Sequence, residues 1–205
     1  MAELLFAEKK FIIALCCFRE GLSMRKIGVI SDVHGNYEAL SAVLPKLREL
    51  GCEEIIHTGD VVDIGPQGKE CFLLLQRYGV LCLMGNHDRD FVKNQSVHKP
   101  MSHVSEEHKR YVFDSMDELR PCFAKFPYYA ERICGGKKVV FEHYCREHDY
   151  LTAKYPFKPL EPHPTAQKFD EMYADYDCDA VFFGHKHEPC DIVGKKLWTK
   201  ISFCF

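Results

Sequence analysis

Five short apolar runs punctuate the chain, at residues 27–30, 54–56, 80–84, 139–141 and 180–183. Each is of strand length and rich in Val, Ile, Leu or Phe, and its apolar positions are continuous rather than alternating. A strand of that kind is buried on both faces, as at the centre of a layered α/β domain. Between the first two runs Leu40, Val43, Leu44, Leu47 and Leu50 recur at helical spacing, with Gly51 placed as a C-terminal cap. Pro45 falls inside that pattern, where a proline costs about 3 kcal/mol, so a kink or broken turn is expected. A second helix is predicted over residues 68–78, turning Cys71, Leu74, Leu75 and Tyr78 inward. Strand, helix, strand, helix, strand predicts a parallel central sheet with right-handed crossovers.

Beyond the third run the pattern loosens. Residues 89–130 are polar, with a helix predicted over 106–119, and residues 144–178 hold Pro156, Pro159, Pro162 and Pro164 among many aromatics. Both stretches read as cap-like insertions over one edge of the sheet, where a substrate would be contacted. The domain is expected to span residues 24–205, with residues 1–23 as an N-terminal extension outside it. The apolar stretch FIIALCCF in that extension is flanked by Glu3, Glu8 and Glu20 and lacks a small-residue cleavage site, which argues against a secretion signal.

Composition narrows the class. Length (205 residues) favours one domain, and 46% apolar with 28% charged residues is ordinary globular usage. Lys and Arg total 27 against 30 Asp and Glu, so no extended nucleic-acid surface is expected. No run approaches the ~20 apolar residues of a membrane-spanning helix. The 11 cysteines are scattered, without a CxxC pair, which fits reduced thiols packed as small hydrophobes in a cytoplasmic protein.

The chemistry lies at the strand ends. The runs end in Ser31-Asp32-Val33-His34, Thr58-Gly59-Asp60, Gly85-Asn86-His87-Asp88, Glu142-His143 and Gly184-His185-Lys186-His187. Ligand sites in open α/β sheets form outside the carboxyl ends of the strands, so five such ends would gather these side chains into one small volume. The other six histidines (His57, His98, His103, His108, His148 and His163) are read as structural or solvent-exposed. Two divalent ions about 3.5–4 Å apart need a bridging carboxylate, imidazoles and neutral oxygens, with positions left open for water and substrate. Mixed Asp, His and Asn donors without a well-placed Cys suit Mn²⁺, Fe²⁺ or Zn²⁺ better than Ca²⁺. Gly59, Gly85 and Gly184 each precede a candidate ligand, where a sharp turn would swing the side chain over the sheet edge.

DxH, GD, GNHD, a later lone His and GHxH, in that order, resemble the calcineurin-like metallophosphoesterase family. SDVHGNYEAL and GDVVDIGP are most similar to its small bacterial phosphodiesterase-type branch. The resemblance spans roughly residues 25–190. It implies a four-layer α/β/β/α sandwich around two divalent ions, Mn²⁺ foremost, with Fe, Zn, Ni or Co as alternatives. It implies Asp32, His34 and His187 on the first metal, Asn86, His143 and His185 on the second, and Asp60 bridging. His87 would protonate the leaving group with Asp88 orienting it, and a hydroxide shared by the metals would attack phosphorus in line.

Some residues depart from the family pattern. Ile64 stands where the phosphoprotein phosphatases of the superfamily have arginine, and Asp88 replaces their Glu, which points away from phosphoproteins. Tyr144 follows His143 where glycine is usual, and would narrow the site or stack on a substrate ring. The chain runs only 18 residues past His187, so the C-terminal sheet is expected to be truncated or to borrow from another chain, and homo-oligomerisation stays open. The expected function is hydrolysis of phosphodiesters, with monoesters as the extension, on a small, nucleotide-like substrate. The alternative is a non-catalytic metal-binding scaffold with the same fold, such as the superfamily has in the retromer coat. Arg89, Arg146, Lys154 and Lys158 are candidate phosphate contacts and Tyr144, Tyr150, Tyr155 and Phe157 candidate stacking groups. The simpler reading is that the lysines are solvated and the aromatics pack a small core of their own.

Overall fold

The computed structural model describes residues 2–7, 11–20, 23–94, 105–163, 165–187, 190–195 and 197–200. A first sheet is built from β1 (Ala2–Ala7), β2 (Phe11–Glu20), β3 (Ser23–Ile30), β4 (Glu54–His57) and β5 (Leu81–Cys82), in that order. β3, β4 and β5 are parallel, joined by α1 (Tyr37–Glu49) and α2 (Gly68–Arg77), as the alternation of runs and helical patterns implies. β1 and β2 add antiparallel. The FIIALCCF stretch is thus a strand, and it buries Leu15 and Cys16.

Continuous apolar character has its expected cause. Alternate residues of β3 and β4 enter different cores: Ile30 and Ile55 pack with Leu40, Leu44, Leu47 and Leu75 from the helices. Ile27, Val29 and Ile56 face the second sheet, against Val139, Phe141 and Phe182. α1 passes Pro45 without a break. The proline and Ser41, whose carbonyl loses its donor, are both exposed, so water can serve that carbonyl.

After β5 come α3 (Asn86–Lys93), α4 (Glu106–Asp114), a 3₁₀ turn (Asp117–Leu119) and α5 (Arg120–Phe123). The single helix predicted over 106–119 is therefore two pieces, divided where Ser115 and Met116 close back on Tyr111 and Phe113. β6 (Tyr129–Cys134) and β7 (Lys137–Glu142) form a hairpin closed by Gly135 and Gly136, both at positive φ, a two-residue turn that suits the strand twist. β6 is an edge strand with alternating burial that the five apolar runs do not include. Then follow α6 (Ala166–Met172), β8 (Ala180–Phe183), β9 (Cys190–Val193) and β10 (Leu197–Lys200).

The second sheet has the order β6-β7-β8-β10-β9, with β7, β8 and β10 parallel. The short stretch after His187 is enough for a hairpin that carries this sheet to five strands; residues 201–205, the end of the apolar tail, lie outside the described residues. On the outer face of this sheet Val140, Val181 and Phe183 pack with Phe169 and Tyr173 of the α6 region and with Tyr144 and Phe157. Helices, sheet, sheet and an outer layer of α6 with loops make the four-layer α/β/β/α sandwich. No helix among the described residues is long and apolar enough to cross a membrane. The nine cysteines described in full are all free thiols.

Candidate metal centre

The carboxyl ends of β3, β4, β5, β7 and β8 meet at one edge of the two sheets, and the loops leaving them are locked to each other. Asp32 N–H donates to Gly59 C=O, His34 N–H to Asp60 C=O and Gly184 N–H to His143 C=O, at 2.9–3.0 Å. Glycine serves here mostly through close approach. A Cβ on Gly184 would lie 1.9 Å from Ser31 Oγ and 2.4 Å from Asp32 Oδ2, and one on Gly85 would lie 2.1 Å from Asp60 Oδ1. The sharp-turn role expected of all three glycines is confined to Gly59, at φ +121°. The turning is done by the candidate ligands themselves: Asp32, His34, Asp60, His185 and His187 all sit at φ between +45° and +79°. Such backbone costs an L-residue about 1–2 kcal/mol and clusters at functional sites.

The seven expected metal ligands converge. Around His143 Nε2 lie Asn86 Oδ1 at 2.8 Å, His185 Nδ1 at 3.1 Å and Asp60 Oδ2 at 3.1 Å. His187 Nε2 lies 3.1 Å from His34 Nε2 and 3.4 Å from Asp32 Oδ1. Asp60 Oδ2 stands between the groups, 3.7 Å from His34 Nε2. Donors at right angles around an ion, each about 2.1 Å from it, are about 3.0 Å apart, so these spacings are those of ligand shells. Three overlapping sets each bring one donor atom per residue within 4.8 Å of the others: Asp32–His34–His187, His34–Asp60–His87 and Asp60–His143–His185. His34 Nδ1 is held by Val62 C=O at 3.1 Å, which turns Nε2 inward, the usual support of a ligating imidazole.

Electrostatics favour a cation. Burial pushes His34 down to about 4 and His185 to about 3, so both are neutral rings with a lone pair to offer. Burial opposes ionisation of Asp32, but the hydrogen bond from His187 and the charge on His143 bring it down to about 2. Asp60 lies well below the usual carboxylate range for the same kind of reason, burial being outweighed by His143 and His87. His143 goes the other way. Burial lowers it, yet Asp60 and Asp32 lift it to about 9, so the pocket draws a proton onto His143 where a metal would supply the charge. The buried donor set fits divalent cation binding.

Two expectations change here. Asp88 does not reach the His87 ring. Its carboxylate accepts N–H bonds from Asp60 (2.7 Å), Val61 (2.9 Å) and Gly85 (3.1 Å), so it clamps the β4 loop to the start of α3. The carboxylate on His87 Nδ1 is Asp63, at 2.7 Å, while Asp60 Oδ1 receives the His87 N–H at 2.8 Å. Asp63 belongs to the same GDVVDIGP stretch, three residues past Asp60 and next to Ile64. Tyr144 is 1% exposed, its hydroxyl accepts Glu161 N–H at 2.9 Å and its ring centroid lies 5.2 Å from that of His185. It packs behind that ligand instead of facing a substrate.

The candidate substrate contacts divide. Arg146 pairs with buried Glu142 at 2.8 Å and lies over Tyr129, Tyr150 and Tyr176. Lys158 donates to Met172 C=O, and Arg89 to the carbonyls of Lys154 and Ala153. Phe157 is buried, whereas Lys154 and Tyr155 are exposed. Of the set-aside histidines, His57 is buried with Nδ1 accepting Gly59 N–H, and His148 and His163 are exposed; His98 and His103 lie outside the described residues.

Known proteins bear on these features. A curated relative, the uncharacterized protein MJ0912 of Methanocaldococcus jannaschii, is 29% identical over 171 residues, 80% of this chain and 63% of its own length. A putative serine/threonine-protein phosphatase of Caenorhabditis elegans, C06A1.3, is 29% identical over 107 residues, 49% of this chain and 28% of its own. The chain thus spans less than two thirds of either relative. In fold it is similar to the hypothetical protein PH1004 of Pyrococcus horikoshii (TM-score 0.68, 16% identity, 86% of this chain and 76% of that one). It is also similar to a metallophosphoesterase from Sphaerobacter thermophilus (TM-score 0.62, 21% identity, 86% and 75%). The Calcineurin-like phosphoesterase family model matches residues 25–189, from the third residue of β3 to just past the last histidine of the centre. This chain belongs to the calcineurin-like phosphoesterase family.

Proposed function

We propose that the chain is a metal-dependent phosphoesterase acting on phosphodiesters through a dinuclear centre held by Asp32, His34, His187, Asp60, Asn86, His143 and His185. The observation that carries this reading is the convergence of those seven side chains beside a carboxylate-backed imidazole, His87 on Asp63. Two divalent cations, Mn²⁺ the first to be tried, would polarise the phosphoryl oxygens and lower the pKa of water. His87 has the placement of a general acid. Asp63 accepts the proton on Nδ1, so Nε2 is turned toward the site, 4.0 Å from Asp60 Oδ2, where it can hold a proton for the leaving oxygen.

Charge favours diesters over monoesters. A monoester dianion asks for additional cationic side chains, and those nearest the centre in sequence are engaged elsewhere: Arg89 on Lys154 C=O and Lys186 on Pro162 C=O. A singly charged diester needs less. The test is hydrolysis of bis-p-nitrophenyl phosphate by metal-stripped protein resupplied with Mn²⁺, with and without excess chelator. Metal-dependent turnover abolished by chelator is the expected result. Folded, Mn²⁺-loaded protein without turnover would overturn the reading and leave the non-catalytic scaffold.

A further inference from the structure

The segment 153–157 is tied to both walls of the centre. At one end, Arg89, three residues past Asn86 on α3 and 3% exposed, donates to Lys154 C=O at 2.8 Å and to Ala153 C=O. At the other end the Phe157 ring centroid lies 5.3 Å from that of His143 and 6.4 Å from that of His185. Backbone bonds fix this end too: Glu147 N–H donates to Pro156 C=O at 2.9 Å and Lys158 N–H to Cys145 C=O at 2.8 Å. Between the two anchors the chain exposes a cation beside an aromatic ring. Tyr155 is 49% exposed, and Lys154 Nζ lies 5.3 Å from its ring centroid. The neighbouring aromatics do not offer this: Tyr144 and Phe157 are buried, and Tyr150 lies against Tyr128 and Arg146.

We infer that Lys154 and Tyr155 form a specificity-determining rim of the centre, held in place by Arg89, and that it receives the organic group of a phosphodiester bearing a nucleobase or another flat aromatic ring. The inference rests on the proposed phosphodiesterase reading. A ring stacked on Tyr155 gains dispersion and π contact that an alkyl group cannot, and the lysine ammonium beside it meets a ring carbonyl. Arg89 is a positioning residue: a guanidinium forked onto two consecutive carbonyls fixes the segment that presents the pair, without touching substrate itself.

Two substrates with one leaving group test it: the p-nitrophenyl ester of thymidine 5′-monophosphate and methyl p-nitrophenyl phosphate. Mn²⁺-loaded wild type is expected to favour the nucleoside ester through KM. Tyr155→Ala should reduce that preference, as a ratio of kcat/KM values, by roughly tenfold, within the range of one base–aromatic stack. Arg89→Met should reduce it through KM as well, with Arg89→Lys recovering part of the loss, which general destabilisation would not do. Turnover of both esters with no preference in wild type, or a preference that Tyr155→Ala leaves intact, would overturn the rim. Turnover of neither by folded, metal-loaded protein would instead overturn the phosphodiesterase reading beneath it.

Discussion

Asp88→Asn separates two roles for a buried carboxylate. In the structure Oδ2 serves the Asp60 and Gly85 N–H groups and Oδ1 serves Val61 and, at 3.4 Å, Val62. An asparagine retains one oxygen. Turned either way it orphans two backbone N–H groups, Val61 and Val62 or Asp60 and Gly85, and sets its own NH₂ against them. Each buried donor without an acceptor costs about 1–3 kcal/mol, so the bare loss is about 2–6 kcal/mol. Removing the charge offsets part of this, because burial and the neighbouring Asp60 push the Asp88 carboxyl up to about 7. A net loss of about 2 kcal/mol corresponds to a drop of about 4–8 °C in Tm for a chain of this size. The assay is thermal unfolding of the metal-free protein at pH 8, paired with kcat on bis-p-nitrophenyl phosphate at saturating Mn²⁺ well below Tm. The expected outcome is the drop in Tm with kcat within about threefold of wild type. An unchanged Tm with kcat reduced a hundredfold would mean that Asp88 acts on His87, and the clamp described above would be wrong.

The complementary change is Asp63→Asn. Its Oδ1 can still accept Ile64 N–H, now at 2.9 Å, but its amide would donate to His87 Nδ1 and impose the other tautomer. We expect kcat to fall about 10²-fold or more with little change in Tm; less than a threefold fall would remove His87 as the acid. Gly184→Ala drives a methyl against Ser31 Oγ and Asp32 Oδ2, so Mn²⁺ bound per chain, measured by mass spectrometry after desalting, should drop, and full retention would show that the β8 loop yields. Tyr144→Phe leaves the Glu161 N–H without its acceptor, an expected loss of about 1 kcal/mol, seen as about 2–4 °C in Tm, with kcat/KM close to wild type. A tenfold loss of kcat/KM would return Tyr144 to the substrate.

The parallel core and the residues at its strand ends are legible in the sequence because both follow from short-range rules. Continuous apolar runs mark doubly buried strands, and the strand carboxyl ends mark the site. What was harder to read depended on which side chain spans a gap between loops. Asp88 and Asp63 are each a plausible partner for His87 in sequence, and only the fold places Asp63 at its Nδ1. A local signal for Asp88 did exist. It stands three residues past Gly85 in the first turn of α3, where an acidic side chain habitually turns back onto backbone N–H groups. β6 carries no strand mark, because its apolar residues come as two pairs around Glu131 and Arg132 and form neither a run nor an alternation, although Gly135-Gly136 before Lys137 is a hairpin signal. β9 and β10 lie beyond the last motif, where neither run length nor spacing marked a pair of short strands.

The left-handed backbone of Asp32, His34, Asp60, His185 and His187 has an evolutionary corollary. At about 1 kcal/mol or more for each, these five residues make the centre a thermodynamic burden on the empty fold. Substitution by glycine would relieve it at every one of these positions. Directed evolution for heat resistance alone, with no demand for turnover, should therefore erode these positions before the hydrophobic core. Lineages released from selection for activity should drift the same way, keeping the sandwich while losing its chemistry.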